Sequence, residues 1–303
     1  MTQREVPVIE VSDLRMRYGE KDVLQGIDLQ ARRGEILALL GPNGAGKSTT
    51  IEILEGFRQR SAGHVRVLDV DPAHGDEAWR ARVGIVLQSW RDHGKWQVRQ
   101  FLSNQGALYR PFSTLQVTRP WDVDDLLRSV GLLGQATEQV RRLSGGQRRR
   151  LDVAVGLVGR PDLLFLDEPT AGLDPQARHD FHELLRHVSN DLNVTVLITT
   201  HDLAEADKVA DRIAILVAGR IIADGTTEQL ARVIAGPDRV RWVADGQRFE
   251  KTAIDSTGFV RALLGDDSGA VTQLEVQRAS LEDTYLQFVD QAEHPDTHGE
   301  EAA

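Results

Sequence analysis

The hydrophobic positions of this chain fall into short continuous runs that are separated by longer segments with helical spacing. The apolar runs at 35–40, 163–166 and 194–199 predict strands that are buried on both faces, as in a parallel sheet. Residues 48–54 and 175–189 predict helices that connect such strands. This alternation of strand and helix is typical of an α/β fold with a mainly parallel sheet at its core.

Two regions depart from this alternation. Residues 8–33 alternate only in part, with a turn at Tyr18-Gly19, and they predict short strands in an N-terminal antiparallel β subdomain. From 97 to 140 the pattern is helical, with two prolines as breaks, and it predicts a helical subdomain. Both regions would be attached to the parallel sheet.

The composition changes near the C-terminal end, and the change predicts the domain limits. Gly236-Pro237-Asp238 is typical of a boundary, and residues 240–290 predict a small α+β unit. The tail is rich in Pro, Gly, His and Glu, which is typical of disorder. The predicted domains are a large domain over 8–236 with a helical subdomain over about 89–160, an accessory domain over 238–290 and a disordered tail over 291–303.

The overall composition is that of an ordinary globular protein. The 303 residues are 41% hydrophobic and 27% charged, and the net charge of −10 argues against broad nucleic-acid binding. The chain has no cysteine, which excludes disulfides and thiolate metal sites and fits a reducing cytoplasm. The N-terminus lacks the features of a signal peptide, and no apolar run approaches the ~18 residues of a membrane span. We therefore expect the chain to stay outside the bilayer.

The most informative motif lies between the first buried strand and the helix that follows it. It fits G-x-x-x-x-G-K-[ST], in which glycines let backbone N–H groups converge on phosphate oxygens and the helix N-terminus adds partial positive charge. Lys47 adds a mobile positive charge for the β- and γ-phosphates, and Ser48 offers a hydroxyl to Mg²⁺. The motif predicts nucleotide binding by Gly41, Pro42, Asn43, Gly44, Ala45, Gly46, Lys47, Ser48 and Thr49.

Two carboxylates end the buried strand at 163–166. Asp167 is predicted to hold Mg²⁺ and Glu168 to polarise an attacking water, because phosphoryl transfer requires little besides positioning and charge neutralisation. The alternative is that both carboxylates only begin a solvated turn before Pro169. The phosphate-binding motif earlier in the chain favours the catalytic interpretation.

A third motif, Leu143-Ser144-Gly145-Gly146-Gln147, stands before a predicted helix over 148–158. One interpretation is structural, since Ser144 and Gln147 have the spacing of a capping box. The other is an anion site, because glycines at a helix start leave backbone N–H groups accessible. The arginines that follow, Arg148-Arg149-Arg150, are predicted to lie on a solvated helix face.

Together these motifs resemble those of the ATP-binding cassette (ABC) family, whose signature is Leu-Ser-Gly-Gly-Gln. The resemblance covers residues 8 to about 235 and includes every family motif in the family's order. It implies a P-loop ATPase in which Lys47, Glu168 and His201 are catalytic. It also implies that Tyr18 stacks on adenine, that His201 contacts the γ-phosphate, and that the Mg²⁺ contacts come from Ser48, Gln88 and Asp167. At the interface between two subunits, Leu143–Gln147 would contact the ATP of the partner subunit, and Asp174 would lie at the dimer interface.

The resemblance also implies cofactors and partners. The cofactors are ATP and Mg²⁺, and the active unit is a head-to-tail sandwich of two ATPase domains, as a homodimer or a heterodimer. Because the chain has one set of motifs and no membrane span is expected, the leading hypothesis is a peripheral subunit on the cytoplasmic face of the cell membrane. A separate multi-span permease would receive its movement through residues 89–115, and no nucleic acid is expected as a partner.

Several segments are similar to the ATPase subunits of daunorubicin-resistance-type drug exporters, namely 151–154, 172–175, 205–213 and the ending at 279–286. The resemblance favours an exporter of drugs, lipids or other amphiphiles. An importer ATPase is one alternative, and a soluble ABC-family ATPase without a transport role is another.

Overall fold

The computed structural model describes residues 7–86, 93–234, 238–244, 246–253, 255–265, 271–277 and 285. The chain divides into two compact units, Met1–Asp224 and Gly225–Ala303. The domain limits expected from the sequence, 8–236 and 238–290, stay predictions. The tail at 291–303 lies outside the described residues.

An antiparallel sheet of three strands begins the first unit, as predicted. Its strands are β1 (Pro7–Tyr18), β2 (Lys21–Arg32) and β4 (Ala62–Val67), in the order β2-β1-β4. The prediction of short strands is wrong, because β1 and β2 have 12 residues each and form one long hairpin. Register shifts, one of them beside Asp13 with its φ of 48°, move side chains between the faces and so interrupt the alternation in the sequence.

A six-stranded sheet forms the centre of the same unit. The strands are β3 (Ile36–Leu40), β5 (Val83–Val86), β6 (Leu163–Asp167), β7 (Thr195–Thr200), β8 (Arg212–Val217) and β9 (Arg220–Gly225), in the order β5-β6-β7-β3-β8-β9. All pairings from β5 to β8 are parallel. Every residue of β3 and β7 is buried, as the continuous apolar runs predict. The three strands β6, β7 and β3 lie side by side at the middle of the sheet.

Helices connect these strands and also form the predicted helical subdomain. The connecting helices are α1 (Lys47–Leu54), α2 (Glu77–Arg80), α6 (Pro175–Asn190) and α7 (Leu203–Val209), and the subdomain contains α3 (Val98–Ala107), α4 (Val123–Ser129) and α5 (Gly145–Leu157). These three helices contact one another, and Phe101, Leu126 and Leu151 are among their buried side chains. No helix in the described part of the chain has the length and apolar character needed to cross a membrane.

The second unit is a small α+β structure, as predicted. It contains α8 (Thr227–Ile234), β10 (Asp238–Ala244), β11 (Gln247–Ala253), α9 (Ser256–Gly265) and β12 (Thr272–Gln277). The strands form an antiparallel sheet in the order β11-β10-β12. Trp242 stacks on its cross-strand neighbour Phe249 with 5.6 Å between ring centroids, and its ring lies 5.5 Å from that of Phe259 in α9. These aromatic contacts attach the helix to the sheet.

Helix α5 approaches strand β5 at a pair of glycines. A Cβ atom on Gly84 would lie 2.4 Å from the carbonyl oxygen of Gly156 in α5 and 2.8 Å from a methyl of Leu164. A contact this short to a backbone atom requires the helix to move away. The two glycines therefore set how close α5, which begins with the signature motif, lies to the sheet.

We expect Gly84→Ala to lower the free energy of unfolding by about 1–3 kcal/mol, since the added methyl overpacks this contact. Urea unfolding of the two proteins measures the difference. Gly134→Ala is the matched control, because a Cβ there meets no heavy atom within 4 Å. Equal losses for the two variants would contradict the close approach of α5 to β5.

Candidate active site

The phosphate-binding motif forms the loop between β3 and α1. Gly44 and Gly46 have φ values of 79° and 108°, a backbone conformation that side chains disfavour. A Cβ on Gly41 would lie 2.2 Å from the carbonyl oxygen of Leu216, so a side chain is excluded there as well. The loop is thus curled before α1 begins, which is the arrangement that directs backbone N–H groups toward an anion.

Lys47 is the first residue of α1, and its side chain turns back across the loop. The residue is only 5% exposed. Its Nζ atom donates hydrogen bonds to the carbonyl oxygens of Gly41 at 2.8 Å and Pro42 at 3.1 Å, and it lies 3.4 Å from Oε1 of Glu168. The ammonium group is therefore held inside the curl of the loop and next to the carboxylate that ends β6.

The side chains of Asp167, at the end of β6, and Ser48, in the first turn of α1, contact each other. Ser48 Oγ donates to Asp167 Oδ2 at 3.1 Å. The hydroxyl of Thr199, near the end of β7, donates to the other oxygen of Asp167 and accepts a hydrogen bond of 3.0 Å from the backbone N–H of Glu168. Thr199 thus fixes both carboxylate residues, a role that the sequence analysis missed because a Thr in an apolar strand gives no separate signal.

Glu168 lies between the lysine and the histidine. Its Oε1 atom is 3.3 Å from Nδ1 of His201 and 3.4 Å from Nζ of Lys47, so one oxygen contacts two of the predicted catalytic groups. The backbone of Glu168 has a φ of 43°, which is uncommon for a residue with a side chain. Such strained residues persist where the surrounding contacts hold them, and they concentrate at functional sites.

The signature motif begins α5. Ser144 accepts a hydrogen bond of 3.3 Å from the backbone N–H of Gln147, and Gln147 Oε1 accepts one of 3.0 Å from the N–H of Ser144, so the predicted capping box is confirmed. Asp174 caps α6 by accepting from the N–H of Ala177 at 2.9 Å. A Cβ on Gly146 would lie 3.1 Å from Cβ of Ala177, which places the two helix starts side by side.

Comparison with known proteins agrees with this geometry. The profile of the ABC transporter family matches residues 24–171. The daunorubicin resistance ATP-binding protein DrrA2 of Streptomyces coeruleorubidus is 34% identical over an alignment of 308 positions, gaps included, and the alignment covers 92% of this chain and 94% of that protein. The Nod factor export ATP-binding protein I of Ralstonia nicotianae is 40% identical over 241 residues, covering 79% of this chain and 73% of that protein.

This chain belongs to the ABC transporter family. Among solved structures, CbiO1 of Clostridium perfringens, part of the ABC transporter complex CbiONQ, matches with a TM-score of 0.66 and 28% identity. The match covers 75% of this chain and 92% of that one. Membership of the family confirms the predicted P-loop ATPase fold and implies ATP hydrolysis.

Arg149 connects the signature helix of this ABC protein to the turn after β6. The prediction that Arg148–Arg150 form a solvated face is wrong for Arg149, which is only 7% exposed. Its guanidinium donates to the carbonyl oxygen of Pro169 at 2.5 Å and to Asp152 at 3.4 Å. Helical spacing places one of three consecutive arginines toward the core, and these acceptors stabilise it there.

Tyr18 ends β1 and is 39% exposed. The guanidinium of Arg58, a few residues after α1, lies over its ring at 5.1 Å from the centroid. The predicted adenine contact of Tyr18 stays a prediction. Gln88, predicted to contact Mg²⁺, lies outside the described residues.

Glu55, which follows the last residue of α1, is an acidic group that the sequence analysis did not single out. Burial, together with the charges of Asp167 and Glu52, raises its pKa from 4.5 to about 8. In the folded protein Glu55 is therefore mostly protonated at neutral pH, whereas it is ionised in the unfolded chain. Because the folded state binds the additional proton, the free energy of unfolding falls as the pH rises from about 4.5 to about 8.

We expect Glu55→Gln to remove this part of the pH dependence. The stability of the variant relative to the wild type should grow between about pH 5 and pH 9, as measured by urea unfolding without nucleotide or magnesium. Glu183→Gln is the control, since Glu183 is exposed and paired with Arg186 at the surface. A constant difference between Glu55→Gln and the wild type would contradict the raised pKa.

Proposed function

We propose that this chain is the ATP-hydrolysing subunit of an exporter and works as a dimer on the cytoplasmic face of the membrane. The observation that carries the proposal is the position of Glu168 Oε1, which lies 3.4 Å from Nζ of Lys47 and 3.3 Å from Nδ1 of His201. A carboxylate at this point reaches both a cation suited to phosphate and an imidazole. This is the set of groups that in-line attack of water on a γ-phosphate requires.

In the proposed reaction each of these residues has one task. Lys47 exchanges its contacts with the loop carbonyls and with Glu168 for oxygens of the β- and γ-phosphates. Glu168 then orients the attacking water and accepts its proton. His201 donates a hydrogen bond to the γ-phosphate and keeps it in line with the water. ATP is cleaved to ADP and phosphate.

The donor atoms present also fit Mg²⁺. Ser48 Oγ and Asp167 Oδ2 are 3.1 Å apart, and both are the hard oxygen ligands that this ion prefers. Mg²⁺ usually takes one or two protein ligands together with water and substrate phosphates, so these two side chains suffice. When bound, the ion would neutralise charge on the β- and γ-phosphates.

The signature is the part of the site that we assign to a second copy of the chain. Ser144 and Gly145 are exposed at the start of α5, where helix N–H groups favour an anion. Asp174 caps the start of the neighbouring α6, so both predicted interface elements lie on one surface. We therefore propose that ATP held by the P-loop of one copy contacts the signature of the other, and that ATP binding closes the dimer.

The helical subdomain offers a surface for the membrane partner. Leu108 is 68% exposed and Leu115 is fully exposed. Both lie within residues 89–115, the segment through which movement is expected to pass to a separate permease. The relatives named for Nod factor export and for daunorubicin resistance support export as the direction of transport.

We expect Glu168→Gln to lower the rate of ATP hydrolysis by about 100-fold or more while ATP is still bound, because the amide cannot accept the proton. Phosphate release and the binding of a fluorescent ATP analogue measure the two properties. Glu183→Gln, a surface carboxylate, is the control and should hydrolyse ATP like the wild type. Normal turnover by Glu168→Gln would mean that another group activates the water.

The same variant tests the transport assignment. Tagged Glu168→Gln protein, expressed in its native host and purified from solubilised membranes with ATP and Mg²⁺, should retain a stoichiometric multi-span protein. Recovery of a dimer alone, or of ribosomes or DNA with it, would contradict the transport role and leave the ATPase role in place.

A further inference from the structure

The buried carboxylate of Glu205 lies close to the segments that carry the catalytic residues, and the proposed reaction does not use it. Glu205, in the first turn of α7, is only 6% exposed. Its Oε1 atom accepts a hydrogen bond from the hydroxyl of Thr170, and its Oε2 atom accepts one of 2.6 Å from the hydroxyl of Thr200. Both oxygens of one carboxylate are thus used by hydroxyls from two different segments.

These two hydroxyls belong to the segments that carry the catalytic groups. Thr170 is two residues after Glu168, and Thr200 directly precedes His201. The hydroxyl of Thr200 also accepts a hydrogen bond of 3.0 Å from the backbone N–H of Asp202, so its position is fixed on both sides. The carboxylate of Glu205 therefore bridges the turn after β6 and the end of β7.

A third segment reaches the same carboxylate. Nε2 of His182, a residue of α6 that is 4% exposed, lies 3.6 Å from Oε1 of Glu205. Burial alone would raise the pKa of Glu205, but the nearby His182 and the hydrogen bonds from Thr170 and Thr200 outweigh burial and lower it. The group is thus a charged carboxylate in the interior, where an apolar side chain of similar volume often gives equal or greater stability.

The two segments that Glu205 connects carry Glu168 and His201, so the bridge can control the distance between these two catalytic residues. Glu168 and His201 contact each other across 3.3 Å, and each follows a separate strand. A displacement of about 1 Å between reacting groups is enough to slow an enzyme by about 100-fold. We propose that Glu205 is a positioning residue that sets the separation of Glu168 and His201 by binding the hydroxyls of Thr170 and Thr200. This inference rests on the proposed hydrolysis of ATP at Glu168.

Thr200 allows a sharp test, because its hydroxyl can be removed without a change in shape. In Thr200→Val the hydrogen bond to Glu205 is lost, and kcat should fall about tenfold or more while KM for ATP stays within about twofold. Thr200→Ser keeps the hydroxyl and should retain kcat within about threefold of the wild type. The same pair of substitutions at Thr170 should behave in the same way.

Thr195→Val is the matched control, since Thr195 is equally buried on the same strand. Thr195 lies at the opposite end of β7 from Thr200, and its hydroxyl accepts a hydrogen bond of 2.9 Å from the backbone N–H of Gly34. This variant should lose stability but keep kcat. If Thr200→Val turns over like Thr195→Val, or if Thr200→Ser is as slow as Thr200→Val, the positioning role is wrong.

A double-mutant cycle tests whether the effect of Thr200 on kcat depends on its hydrogen bond to Glu205. Thr200→Val combined with Glu205→Leu should be no slower than the slower single variant, because leucine has no acceptor and already removes the contact with the Thr200 hydroxyl. If the two effects multiply, Thr200 acts independently of Glu205 and the inference fails. A wild-type protein without ATPase activity would instead overturn the proposed function, so the two failures are distinguishable.

Discussion

The site depends on one constraint, the adjacency of β6, β7 and β3 in a parallel sheet. Parallel strands end at the same edge, so residues that are far apart in the sequence meet there. Asp167 ends β6 and Glu168 follows it, Thr199 and His201 lie at the end of β7, and the P-loop follows β3. The contacts of 3.1–3.4 Å among Ser48, Asp167, Lys47, Glu168 and His201 follow from this order.

Much of this arrangement could be predicted from the sequence, because the physical signals are local. Continuous apolar runs identify strands that are buried on both faces, and β3, β6 and β7 lie within one residue of the predicted limits. The capping box is equally local, since Ser144 and Gln147 are three residues apart. The P-loop glycines have the backbone angles and close approaches that only glycine tolerates.

The parts that could not be predicted depend on contacts between distant segments. Thr199 and Glu205 bind groups on other strands and turns, and neither side chain has a local pattern that reveals its partner. Arg149 is buried only because Pro169 and Asp152 offer acceptors to it. The bulges in β1 interrupt the alternation that would otherwise predict one long strand. Tertiary contacts, rather than propensity, decide these features.

The central claim is that each catalytic site combines the P-loop of one copy with the signature of another. Mixing Lys47→Ala with Gly145→Asp protein tests it directly, because a side chain at Gly145 meets no heavy atom within 4 Å and should not disturb folding. Each variant alone should be inactive, whereas a mixed dimer has one site in which both elements are intact. The account predicts recovery of about a quarter of the wild-type ATPase rate on mixing. A mixture that remains as inactive as its components would contradict it.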